Sequence, residues 1–176
     1  MATYDFSLVF TLPGGESEAG QYLDALFEAG CDDALIGIGE RGTIGLDFTR
    51  EAESANEAIQ SAVANVQEAI PDAVLLEASP DIVGVSDIAE LVHCRRQNIQ
   101  KYIASGAFPK PYHLGRSPMW HFLEVATWLA GKQLRTIQLS REVVEVSNLT
   151  YKLNLEVQKH RYDESQKNRV QMSAIS

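Results

Sequence analysis

Tyr4, Phe6, Leu8, Phe10 and Leu12 alternate with Asp5, Ser7 and Thr11, the period of two that marks a strand with one buried face. Such a strand persists only inside a sheet whose apolar face is covered, so the rest of the chain must supply neighbours and a cover. Pro13-Gly14-Gly15 ends the run. From Glu16 to Ala29, the residues Ala19, Tyr22, Leu23, Leu26 and Phe27 recur at helical spacing, with Glu16 and Glu18 at the positive end of the helix dipole and Gly30 as the stop. Two β-like runs follow, Ala34–Ile38 and Thr43–Thr49, joined through Gly39-Glu40-Arg41-Gly42, which can supply the positive φ of a tight hairpin. A second helix is expected from Ser54 to Ile70. Its buried stripe is Ala55, Ile59, Ala62, Val63, Val66 and Ile70, Pro71 closes it, and Ala73–Ala78 reads as a last short strand.

The order β-α-β-β-α-β over residues 1–79 resembles the ferredoxin-like split βαβ sandwich, in which two helices cover one face of an antiparallel sheet. That resemblance implies a fold and not an activity. Gly14-Gly15 before a helix could cradle an anion, but Glu16 and Glu18 would repel it, so the pair is read as a turn. Asp32-Asp33 are read as solvated loop charges. The chain has no Gly-x-Ser-x-Gly, Walker loop, His-Glu-x-x-His or EF-hand loop, so no catalytic constellation is expected.

The net charge of −9 argues against nucleic acid until it is divided along the chain. Residues 1–80 carry 15 acidic against two basic residues, Arg41 and Arg50, whereas residues 81–135 carry four acidic against seven basic. An acidic unit thus precedes a basic one, the asymmetry expected when part of a chain meets a polyanion.

Within the basic part, Ser86 is a candidate helix cap, and Ile88, Leu91 and Val92 supply a core face. After a turn at His93-Cys94, Arg95–Ile103 fits a second helix with Ile99 and Ile103 inward and Arg96, Gln97, Asn98, Gln100 and Lys101 outward. Phe108–Leu114 and Met119–His121 flank Gly115-Arg116-Ser117-Pro118 as a two-strand wing with a basic tip, and Phe122–Ala130 returns Val125, Trp128 and Leu129 to the core. The run GVSDIAELVHCRRQNIQKYIASGAFPKP, with LGRSPMW and FLEVATWL after it, resembles the winged helix-turn-helix of the MerR, excisionase and AlpA-like phage-regulator group over about 48 residues. His93 stands where that group often has Gly, and Arg95 where it often has a small hydroxyl residue.

The resemblance implies a DNA-binding domain over residues 80–131, with Arg96, Gln97 and Asn98 facing base edges and Arg95 and Lys101 on phosphates. Lys110, His113 and Arg116 would set the wing on the backbone or in the minor groove. His93, Cys94, His113 and His121 match no metal-ligand spacing, and Tyr102, Phe108, Trp120 and Trp128 suit a small core better than a base-stacking platform. No metal or cofactor is expected. Cys31 and Cys94 lack CxxC spacing and are expected to be reduced and structural.

Residues 132–162 carry a heptad-like seam of Leu139, Val143, Val146, Thr150, Leu153, Val157 and His160, weakest at Thr150 and His160. A seam of this kind packs on its own chain or on a second copy, and the spacing is read as a dimerisation helix. Residues 163–176 are polar and are expected to fray. No apolar run reaches the roughly 18 residues of a membrane span, and residues 1–5 carry no secretory pattern, so the expected location is the cytoplasm. The expectation is therefore an α+β chain, a dimeric, sequence-specific double-stranded DNA-binding regulator of bacterial or phage type. Residues 1–79 would hold a protein or small-molecule effector. The alternative is an antitoxin or phage-assembly adaptor that grips a protein partner through its acidic unit and DNA through the winged one.

Overall fold

The computed structural model describes residues 1–15, 18–132, 134 and 137–175, with side chains up to residue 169 in the last helix. Glu16, assigned above to the start of the first helix, lies outside the described residues. The architecture is α+β. β1 (Ala2–Thr11) lies between β3 (Thr43–Ala52) and β4 (Val74–Ser79), and β2 (Ala34–Gly37) flanks β3, so the sheet order is β2-β3-β1-β4 with all neighbours antiparallel. The period of two holds: Tyr4, Phe6, Leu8 and Phe10 are buried, and Phe6 stacks on its register partner Phe48 at 5.1 Å between ring centres. α2 (Ala55–Ala69) presents Ala55, Ala58, Ile59, Ala62 and Val66 to this core. Its cap is the Ser54 hydroxyl, which accepts the Glu57 N–H at 3.2 Å, while the Glu57 carboxylate accepts the Glu53 N–H at 3.0 Å.

Three local expectations change. The first helix is a 3-10 turn, Ala19–Tyr22, followed by a six-residue α1 (Leu23–Glu28). A 3-10 turn has about 3.0 residues per turn instead of about 3.6, so the apolar stripe loses phase: Ala19 and Leu26 are buried, while Leu23 is exposed and Phe27 is 67% exposed. β3 continues past Thr49 because Arg50 is an interior residue. Its guanidinium donates to Asp33 at 2.7 and 2.8 Å, to Ser61, to Asn65 and to the Gly30 carbonyl, so Asp33 is an ion-pair partner and not a solvated loop charge. Gly42 closes the hairpin at φ 78°, and a Cβ there would strike the Gly15 carbonyl.

A second core gathers Val83, Ile88, Val92, Ile99, Phe108, Trp120, Phe122, Val125 and Leu129. It is built from β5 (Ile82–Val83), α3 (Val85–Leu91), α4 (Arg96–Ala104), β6 (Trp120–His121) and α5 (Phe122–Ala130), with β5 and β6 antiparallel. Beyond it, α6 (Arg141–Ile175) runs 35 residues and packs on β4, β1, α2 and α5. It continues through the stretch expected to fray, where neither Gly nor Pro interrupts it and Lys167 bonds Glu164 at 2.7 Å.

α6 also redirects its seam. Val146 is fully buried in the sheet core, Leu153 packs against that core, and Leu139 and Val143 pack against the second core, whereas Val157 is half-buried and belongs to neither. The seam from Leu139 to Leu153, assigned above to dimerisation, thus covers the chain's own surface. Two apolar cores of the same chain take up the seam, and the helix also meets the edge of β4. Among the described residues no further strand pairs beyond β4, and an uncovered edge exposes unpaired N–H and C=O groups. Asn154 takes both groups of Ala78: its Oδ1 accepts the Ala78 N–H and its Nδ2 donates to the Ala78 carbonyl, each at 2.8 Å.

Candidate nucleic-acid interface

α3 begins at Val85, two residues after β5 ends, and its first turn is closed by Asp87, whose carboxylate accepts the Gly84 N–H at 2.8 Å. Ser86, the expected cap, is an exposed residue inside the first turn and makes no cap bond. At the other end, His93 adopts φ 50°, its N–H reaches the Glu90 carbonyl at 3.1 Å, and Cys94 N–H reaches the Ala89 carbonyl at 2.9 Å. These two bonds are those of a left-handed helix cap, a conformation that favours glycine and is held here by a histidine. Arg95 then turns extended, at φ −79° and ψ 141°, and its carbonyl accepts the Asn98 N–H at 2.8 Å to start α4. Arg95 is therefore a flanking residue of α4 rather than its first turn.

On α4, Ile99 is fully buried against the second core and fixes the roll of the helix. Arg96, Gln97, Gln100 and Lys101 are exposed, with Asn98 half-buried at the flank. Gln100 shares the face of the residues singled out above, as its helical spacing from Arg96 and Gln97 implies, and it belongs with them. No described residue forms an ion pair with Arg95, Arg96, Lys101, Lys110 or Arg116. Four other cations are paired, Arg41 with Glu18, Arg50 with Asp33, Arg141 with Glu145 and Lys167 with Glu164, while Lys132, Lys152, Lys159 and Arg161 have no ion pair among the described residues either.

The wing differs from the two-strand expectation. His113 and Met119 form one isolated bridge, with N–H to carbonyl distances of 3.2 and 3.1 Å, and Trp120-His121 pairs with Ile82-Val83 instead. Pro109 and Pro111 lack N–H groups and cannot extend a ladder from the Phe108 side. The loop is anchored by side chains: Trp120 Nε1 donates to the Pro109 carbonyl at 2.9 Å, and Phe108 sits edge-on to Trp120 and Trp128. Lys110, His113 and Arg116 are exposed along it, together with two apolar side chains that the residue pattern did not single out, Tyr112 and Leu114, the latter 83% exposed.

The histidines and cysteines separate. His93 and His113 are exposed, Cys94 lies in the turn with burial pushing its thiol pKa up, and His121 is buried with Nδ1 2.7 Å from Asp81. Among the described residues no three His, Cys, Asp or Glu side chains converge on one point. Of the helices described, none is long and apolar enough to cross a membrane. Compared with protein-family models, curated proteins and solved structures, the chain matches none of them.

Proposed function

We propose that the chain is a sequence-specific double-stranded DNA-binding protein whose α4 enters the major groove and whose 108–119 loop acts as a wing on the backbone. The observation that carries this reading is the open face of α4. In a chain of net charge −9, Arg96 and Lys101 stand exposed without an acidic partner among the described residues, interleaved with Gln97 and Gln100 and followed in the chain by a loop that adds Lys110 and Arg116. Arg, Gln and Asn have the forked donors and acceptors that read guanine and adenine edges, and unpaired cations suit phosphates. A helix pair joined by a tight turn, with a loop beside its second helix, is the arrangement of the winged helix-turn-helix proteins of the MerR and excisionase type. The acidic first unit, with the strand order of the ferredoxin-like sandwich, is in this reading the partner-binding or sensing module of a regulator. Self-association falls to the distal half of α6, where Leu155 and Tyr162 are exposed seven residues apart.

The test is fluorescence anisotropy of the full chain with DNA selected from a random duplex library, with scrambled competitor and a salt series. Binding that discriminates sequences and weakens steeply with salt is expected. Equal affinity for every duplex, unchanged in Arg96→Ala, refutes the reading.

A further inference from the structure

β1 is ten residues long, but β4 pairs only with its second half, from Ser7↔Ser79 to Thr11↔Val74. Ala2–Phe6 therefore have a strand neighbour on the β3 side alone. On the other side the chain leaves β4 through Pro80 into β5, and the start of α6 closes the far wall. The result is a cleft of about 620 Å³ that touches β1 at Thr3, Asp5, Phe6 and Ser7 and reaches α3, while Tyr4 meets α6 through a side-chain hydrogen bond with Glu145. Five residues of strand span about 16 Å, enough to pair with a short extended peptide.

The walls are of one sign. Asp5, Asp87, Glu90 and Glu142 line the cleft, no Lys or Arg does, and His93 is the one other titratable side chain there. Asp5 already accepts the Thr49 hydroxyl and Asp87 the Gly84 N–H, but Glu90 and Glu142 have neither a hydrogen bond nor an ion pair among the described residues. Strand-edge amides call for a polypeptide backbone, and carboxylates without a bonded partner, Glu142 beside the charge of Arg141, call for cationic side chains.

We propose that this cleft docks an extended basic segment of a partner protein, which adds to Ala2–Phe6 as an edge strand and sets lysine or arginine side chains against Glu90 and Glu142. The site is separate from the open face of α4, so it stands whether or not that face reads DNA.

The experiment selects octapeptides from a positional-scanning library on the full chain. Affinities are then measured for the chain, for Glu90→Gln/Glu142→Gln and for peptides N-methylated at alternate residues. Selection of Lys or Arg at alternating positions, about tenfold weaker binding to the double variant, loss of binding on N-methylation, and slowed amide exchange confined to Ala2–Phe6 are expected. No basic preference, equal binding of the double variant or of N-methylated peptide, or spermidine binding as tightly as peptide overturns the proposal. So does peptide-free burial of Ala2–Phe6 in a dimer, read by sedimentation and exchange, which assigns the edge to a second copy.

Discussion

Asn154→Ala is the sharpest test of how α6 holds the chain together. The amide of Asn154 makes three bonds at 2.7–2.8 Å: one from the Ala78 N–H, one to the Ala78 carbonyl and one to the Asp81 carboxylate. Ala78 is fully buried and Asp81 is 2% exposed, so truncation strands a donor, an acceptor and part of a buried carboxylate. A neutral bond contributes about 1 kcal/mol net, a bond to a charged group about 2 kcal/mol, and each stranded group adds to the cost unless water enters. The variant should lose about 3–5 kcal/mol, with a Tm fall of about 2–4 °C per kcal/mol for a chain of this size. Urea unfolding followed by circular dichroism measures it, with Asn148→Ala, an exposed position on the same helix, expected to stay within about 0.5 kcal/mol. Hydrogen exchange supplies the local readout, because the Ala78 amide should open first in the variant. A loss below about 1 kcal/mol, or an Ala78 amide as protected as before, refutes the claim that Asn154 serves as the missing neighbour of β4.

His93→Gly relieves a left-handed φ of 50° at an exposed position and should stabilise the chain by about 0.5–1 kcal/mol in the same urea assay; destabilisation would mean that the imidazole itself holds the turn. In DNA binding, Arg96→Ala should narrow the gap between preferred and other sequences by about 1–3 kcal/mol, while Lys101→Ala should weaken all duplexes alike and lower the salt slope by about one. The Cys31 thiol is pushed above its ordinary value of 9.0, first by burial and then by Asp33 and Asp32, against the Arg50 charge. A raised folded pKa gives stability that is full below pH 9.0 and is lost as the pH climbs towards the folded value, so Cys31→Ala should flatten the onset of alkaline unfolding above pH 9.0. Gly42→Ala should cost more than 1 kcal/mol, since a Cβ there meets the Gly15 carbonyl as well as an unfavourable φ.

Periodic elements were legible from residues alone because their patterns are local. The alternation in β1 and the stripe of α2 predict their burial, and the core-facing Ile99 predicts which face of α4 is open. What depended on distant groups was not. Arg50 reads as one of two cations in an acidic stretch, and only the fold brings Asp33, Ser61, Asn65 and the Gly30 carbonyl around it. The seam of α6 has the spacing of a dimer helix, yet heptad spacing states that a helix needs an apolar partner and not whose it is. The two cores of the same chain supplied that partner. In the wing, two prolines were visible, but the pairing of Trp120-His121 with Ile82-Val83 is a non-local choice that no spacing encodes.

The same stretch of α6 joins the two units by buried polar contacts rather than by apolar area alone. Asp81 receives Asn154 on one carboxylate oxygen and His121 on the other, and the His121 ring lies between Tyr151, stacked at 3.9 Å, and Tyr112, edge-on at 4.6 Å. Thr150 adds a hydroxyl bond to the Pro80 carbonyl at 2.6 Å. One helix therefore fixes the end of β4, the connection into β5, and the root of the 108–119 loop through Tyr112. Buried ionisable groups contribute little net stability, and replacing them with apolar residues often does no harm. Their geometric demands are strict, however, because each lost partner leaves a buried charge or amide unsatisfied. The network thus holds the sheet unit and the 108–119 loop against the same stretch of α6.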